Sequence, residues 1–124
     1  MSKFEIVQSF YKAWAAGDLD GSLAYCADDI VWDNVPLKPF EGKARVREFL
    51  EKFARGMSNT HYDIKNHLES GDLLMLEGVE NYDKGGQSVS VPYMAVFKFR
   101  DGRITHMSDY FDLATVERQL GLKD

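Results

Sequence analysis

From residue 57 onward the period of the chain changes to that of strands, interrupted by three turn signals: Ser70-Gly71-Asp72, Lys84-Gly85-Gly86 and Asp101-Gly102. A period of two is that of a strand with one buried face, and a glycine at each interruption lets the chain reverse in two residues. The pattern predicts four strands in antiparallel sequence, over 59–69, 73–83, 87–99 and 103–112, with a short helix over 114–120. The first half reads differently. Phe4, Val7, Phe10, Tyr11, Trp14 and Ala15 recur at helical spacing until Gly17 stops them, and Asp18 or Asp20 can cap a second short helix through Leu23 to Ala27. Ile30-Val31-Trp32 reads as a strand ended by Pro36 and Pro39, and Gly42 starts a third helix with a stripe of Val46, Phe49, Leu50 and Phe53. Helices first and a meander second define an α+β fold, with a cone-shaped, curved antiparallel sheet wrapped around N-terminal helices. At 124 residues the chain is expected to be one domain over 1–124.

Composition narrows what such a cone can do. Aromatic residues make up 13% of the chain, enough to line a cavity as well as fill a core. The net charge of −5 is spread over interspersed acids and bases with no Lys/Arg cluster, so no nucleic acid is expected as a partner. Cys26 is the only cysteine, which excludes an internal disulfide and a cysteine-built metal site and fits a cytoplasmic location. No stretch approaches the roughly 20 apolar residues of a membrane span, so no membrane association is expected. His61, His67 and His106 form no close ligand pair, the acids show no calcium-loop spacing, and no phosphate-cradling or dinucleotide motif is present. No metal and no cofactor are expected.

The chemistry is expected where a carboxyl group meets apolar surroundings. Asp109 lies among Ile104, Met107, Tyr110, Phe111 and Leu113, and Glu80 sits in a similar context within Leu73-Leu74-Met75-Leu76-Glu77-Gly78-Val79-Glu80. Burying either acid carries a desolvation cost that structural residues rarely need to meet. Strand parity places Asp109 on one face with Met107 and Phe111, Glu80 with Leu76 and Gly78, and Val91 with Tyr93, Ala95 and Phe97. Glu80, Asp109, Tyr93, Asn34 and Trp32 are then the polar exceptions in an apolar cup, the composition of a small-molecule site. Phe111, Val91 and Trp14 are expected to add contacts to the ligand.

Two kinds of segment resemble a known group. Ala16-Gly17-Asp18-Leu19-Asp20 with Ala27-Asp28-Asp29 resembles the opening of the nuclear transport factor 2-like superfamily, which includes SnoaL-like cyclases, ketosteroid isomerases and limonene-1,2-epoxide hydrolase. Trp32-Asp33-Asn34-Val35-Pro36-Leu37 and Asp109-Tyr110-Phe111-Asp112-Leu113 resemble the limonene-epoxide hydrolase branch more specifically. That resemblance implies a Tyr and an Asn holding a water between an aspartate base and an aspartic acid, with an Arg bridging the two carboxyls. Asn34 matches the water-holding Asn, Asp109 one aspartate, and Glu80 stands where the other would lie. Trp32 replaces the Tyr, and Gly78 stands where the Arg is implied. The ketosteroid isomerase pattern departs at three positions, Phe10, Asn34 and Ala95.

Three readings fit these residues. One is an enzyme acting on a small lipophilic molecule by acid-base chemistry, as an epoxide hydrolase or as a SnoaL-like isomerase or cyclase. Another is a non-catalytic binder of a small lipophilic ligand. The last is an interaction module, because the open sheet face of such a fold pairs readily with a second copy, and a homodimer is the expected assembly.

Overall fold

The structure is a computed structural model and describes residues 1–122. Helix α1 (Lys3–Ala15) starts at a reciprocal cap: the Ser2 hydroxyl accepts from the Glu5 amide at 3.1 Å, and the Glu5 carboxylate accepts from the Ser2 amide at 2.9 Å. It buries Val7, Phe10 and Tyr11 of the expected stripe together with Ile6, while Phe4 and Trp14 are half-buried and Ala15 is exposed. Helix α2 (Leu19–Leu23) is capped by Asp18, whose carboxylate accepts from the Gly21 amide at 2.9 Å. It ends four residues short of the expected Ala27. The Tyr25 carbonyl accepts from the Ile104 amide, and Cys26 pairs with Ile104, so this stretch is drawn into the sheet.

Strand β1 (Cys26–Val35) therefore runs well beyond the expected Ile30–Trp32, and Phe40–Glu41 adds a short β2 against Val31 and Trp32. Helix α3 (Lys43–Ala54) follows, with Val46 and Leu50 buried. Then come β3 (Met57–Ser70), β4 (Leu73–Lys84), β5 (Gln87–Arg100), β6 (Arg103–Phe111) and a closing α4 (Leu113–Gln119). Two-residue turns join the meander strands. Positive φ at Gly85 and Gly86, and at Asp101 and Gly102, supplies the backbone geometry that such turns require.

One six-stranded sheet results, in the order β2-β1-β6-β5-β4-β3. It is not wholly antiparallel: β1 runs parallel to β6, because the chain leaves β1 through α3 and the meander before β6 returns beside it. Along β5 the inward set is unbroken, with Val89, Val91, Tyr93, Ala95, Phe97 and Phe99 all buried. Helix α1 packs on β3 and α3 on β1, which covers the concave face of the sheet and places the main core between them. Among the described residues no helix is long and apolar enough to cross a membrane.

Candidate active site

Two irregularities in the sheet shape the site. On β6 the register slips by one residue at Thr105: Lys98 pairs with His106, while Phe99 pairs with Ile104. The bulge reverses parity, so Ile104 faces inward and so do Met107, Asp109 and Phe111 beyond it. On β3 an extra residue at Lys65, between the pairs Ile64 with Gly78 and Asn66 with Glu77, presses the β3 backbone onto β4. A Cβ at Gly78 would lie 2.5 Å from the Asp63 carbonyl oxygen and 3.2 Å from the Ile64 Cα. The site therefore has no room for an arginine at 78, and glycine there is a packing requirement.

A cavity of about 290 Å³ lies inside the cone, at the small end of ligand sites. Eleven of its nineteen lining residues are aromatic, and none is Lys, Arg or His. Glu80 and Asp109 both open onto it, as do Asn34, Trp32, Tyr93, Phe111 and Trp14. Trp14 also borders a smaller cavity of about 90 Å³ beside Leu19 and Met57. Val91 is a correction. It shares the inward face of β5 with Tyr93, but sits one step further along the cone, packed in a second cluster behind Tyr82 and Val116, which line the cavity while Val91 itself does not.

Each acid has a neutral donor on the neighbouring outer strand. Tyr62, the direct cross-strand partner of Glu80, donates its hydroxyl to Glu80 Oε2 at 3.1 Å. Trp32 donates its indole N–H to Asp109 Oδ2 at 2.9 Å, and its partner in the parallel ladder is Met107, two residues before the acid. Asn34 is the direct ladder partner of Asp109 and lines the cavity, with no side-chain hydrogen bond to another described residue. Between the acids, Tyr93 on β5 donates to the Tyr11 hydroxyl of α1 at 3.0 Å, and Tyr11 stacks on Tyr62 with ring centroids 4.0 Å apart.

Burial drives both carboxyl groups upward. Asp109 is raised to about 6 by desolvation, against the pull of the Trp32 hydrogen bond. Glu80 is raised to about 7 by desolvation and then by the Asp109 charge, against the pull of the Tyr62 hydrogen bond. Asp109 thus ionises first, and its charge helps to keep the proton on Glu80. Burial also holds the Tyr11 and Tyr62 phenols well above their ordinary range, so they remain neutral donors. Near pH 7 the site contains one carboxylate, one carboxyl group that still carries much of its proton, and a free amide beside the carboxylate.

Sequence reading missed Tyr62 and Tyr11. Tyr62 lies in the polar run 57–70, where its burial is partial and the apolar alternation is weak, and only the register across β3 and β4 reveals it as the Glu80 partner.

This chain belongs to the SnoaL-like domain family, whose model matches residues 7–107, and its fold is that of the nuclear transport factor 2-like proteins. It is similar to the epoxide hydrolase EphG of Mycobacterium tuberculosis, 28% identical over 109 residues that span 86% of this chain and 71% of that protein. Among solved structures it resembles an LEH-like epoxide hydrolase from M. tuberculosis, at 26% identity and a TM-score of 0.82, covering 96% of this chain and 92% of the other. It also resembles a polyketide-cyclase candidate from Pseudomonas putida, at 27% identity and a TM-score of 0.85, covering 96% and 98% of the two chains.

Proposed function

We propose that the cavity binds a small lipophilic molecule and acts on it by acid-base chemistry, with hydrolysis of an epoxide as the leading reaction. The observation that carries this reading is the carboxyl pair itself: two acids on one aromatic cavity, unequal in acidity and lacking a bridging cation. Asp109 is the base. It takes a proton from a water held by the Asn34 amide while that water's oxygen forms a bond to an epoxide carbon. Glu80 is the acid. As the ring C–O bond breaks, its proton passes to the departing oxygen, leaving a diol, a protonated Asp109 and an ionised Glu80, and return of that proton to Glu80 resets the pair. The likeness to epoxide hydrolase EphG in sequence and to an LEH-like epoxide hydrolase in structure supports the substrate class.

A second reading follows from the likeness to a polyketide-cyclase candidate. Proton abstraction from carbon needs only Asp109, with Glu80 protonating the new oxyanion. The test is incubation of the purified protein with a panel of lipophilic epoxides in ¹⁸O-labelled water, beside Asp109→Asn and Glu80→Gln. Labelled diol from the wild type that falls in both variants supports hydrolysis. Absence of diol from every epoxide, with solvent deuterium entering an enolisable ketone, favours the isomerase or cyclase reading.

We also propose a homodimer through the outer face of the sheet, in the cytoplasm. Met94 and Tyr110 are ladder partners on that face, 52% and 49% exposed, and Met75 beside them is 46% exposed. Light scattering should give twice the chain mass for the wild type and the single mass for Met94→Lys; a monomeric wild type would remove the dimer.

A further inference from the structure

The lining of the cavity carries negative charge and no positive charge. Its ionisable groups are Glu80, Asp109 and the phenols Tyr11, Tyr62, Tyr82 and Tyr93, and no basic side chain reaches it. The ammonium of Lys84 lies 5.1 Å from the ring centroid of Phe53, a lining residue. It is occupied elsewhere, donating to the carbonyl oxygens of Phe53 and Arg55 at 2.5 and 2.7 Å, and is not part of the wall. The position at which a built-in cation would enter between the acids is closed by the β3 backbone over Gly78. Each acid has a single neutral donor, so two of the four carboxylate oxygens and the Asn34 amide have no hydrogen-bond partner among the described residues.

Aromatic faces attract cations through the ring quadrupole, most strongly where water is excluded, and carboxylates in the same cavity add a Coulomb term that is larger than at a surface. We infer that this cavity is a binding site for lipophilic ammonium cations, in which the ligand supplies the positive charge that the protein leaves out between Glu80 and Asp109. An apolar group would fill the aromatic cup, and its nitrogen would sit between the two carboxyl groups. Anionic ligands are excluded by the same charge. The inference uses the same cavity as the proposed function but depends on its charge and not on turnover.

The probes are three molecules of one shape class: benzyltrimethylammonium, its neutral isostere neopentylbenzene, and phenylacetate. Calorimetric or tryptophan-fluorescence titration of the full chain at about pH 8 should show the cation binding at least about tenfold tighter than the neutral isostere, with no measurable phenylacetate binding. The cation favours the ionised pair, so its binding near pH 6.5 should release protons, which calorimetry in two buffers of different ionisation enthalpy detects. Glu80→Gln and Asp109→Asn should each reduce cation affinity while leaving neopentylbenzene unchanged. Equal or weaker wild-type affinity for the cation, or binding without proton release, would overturn the inference whatever the behaviour of the variants. Epoxide turnover without cation preference would sink this inference alone, and cation preference without turnover would leave it standing while the hydrolase reading fell.

Discussion

Glu80 and Asp109 occupy the two strands that flank β5, and each takes one hydrogen bond from an aromatic donor on the strand beyond, Tyr62 on β3 and Trp32 on β1. The halves of the site then diverge. Around Glu80 the strands are antiparallel, β3 is bulged hard against Gly78, and the partner directly across the ladder is the donor itself. Around Asp109 the ladder is parallel, the donor stands one step away, and the direct partner is Asn34 with its amide free. Both acids are raised by burial, but only the Asp109 side keeps a polar group available for a water. Equal burial therefore leaves the two acids unequal: the Asp109 charge helps to keep the proton on Glu80, and the free Asn34 amide beside Asp109 offers a place for a water.

The largest effect expected from breaking this asymmetry is on turnover. Asp109→Asn removes the proposed base and should cost about 10²- to 10⁴-fold in kcat, and Glu80→Gln should cost a similar factor by removing the proposed acid. Their pH profiles should differ. On the proposed mechanism the wild type needs Asp109 ionised, above about pH 6, and Glu80 protonated, below about pH 7, so its profile should be a narrow bell. Residual activity of Glu80→Gln should lose the alkaline limb and keep the acid one. A folded Asp109→Asn with wild-type rates would end the comparison.

Stability gives the next largest effect, with a sign opposite to that of function. Each folded-state value lies above the ordinary carboxyl value, so the folded chain holds these protons more tightly than the unfolded chain. Below about pH 3 both states are protonated and the buried acids carry no ionisation penalty. As pH rises toward about 7 the penalty grows, reaching on the order of 3 kcal/mol for each acid once both are ionised. Glu80→Gln and Asp109→Asn should therefore raise the urea midpoint at about pH 8, and this gain should shrink toward about pH 4.5. A loss of stability at the higher pH would show instead that the acids are structural and matched by their donors.

On the Glu80 side alone, Gly78→Ala should destabilise by about 1–3 kcal/mol, because the new methyl group meets the Asp63 carbonyl and the β3 backbone must move. Thermal unfolding of the variant checks this. A neutral outcome would mean that the bulge at Lys65 yields easily and that the site can accept a side chain at 78.

The α+β order, the helical stripes and the three reversals were legible because each rests on local chemistry: a spacing of three and four, a spacing of two, and glycines where φ must be positive. The inward face of Asp109 was legible too, but only from its neighbours Met107 and Phe111. Counting parity from Ile104 would have turned it outward, because the bulge at Thr105 has no sequence mark of its own. Parity also fixes a face without fixing depth, which is why Val91, on the correct face, ends in a different cluster from Tyr93. The parallel pairing of β1, the two-residue β2 and the Tyr62 donor all depend on contacts between segments distant in sequence. The lone glycine at 78 illustrates the same limit. As sequence it marks a missing charge, while in the fold it marks a backbone approach that no side chain would permit.

The finest test of the two halves exchanges their donors for rings that cannot donate. Tyr62→Phe removes the one hydrogen bond that favours ionised Glu80, so Glu80 should hold its proton to higher pH and the alkaline limb of the rate profile should move up. Trp32→Phe does the same to Asp109, and there the acid limb should move up and narrow the bell from its other side. Each shift should be within about one pH unit, the scale of a single neutral hydrogen bond to a carboxylate. Initial rates across pH for both variants would resolve this. Limbs that move as described assign the acid to the β4 side and the base to the β6 side. If Tyr62→Phe moves the acid limb instead, the roles are reversed, and the water must be handled beside Glu80, where the structure shows no free amide corresponding to Asn34 among the cavity-lining residues.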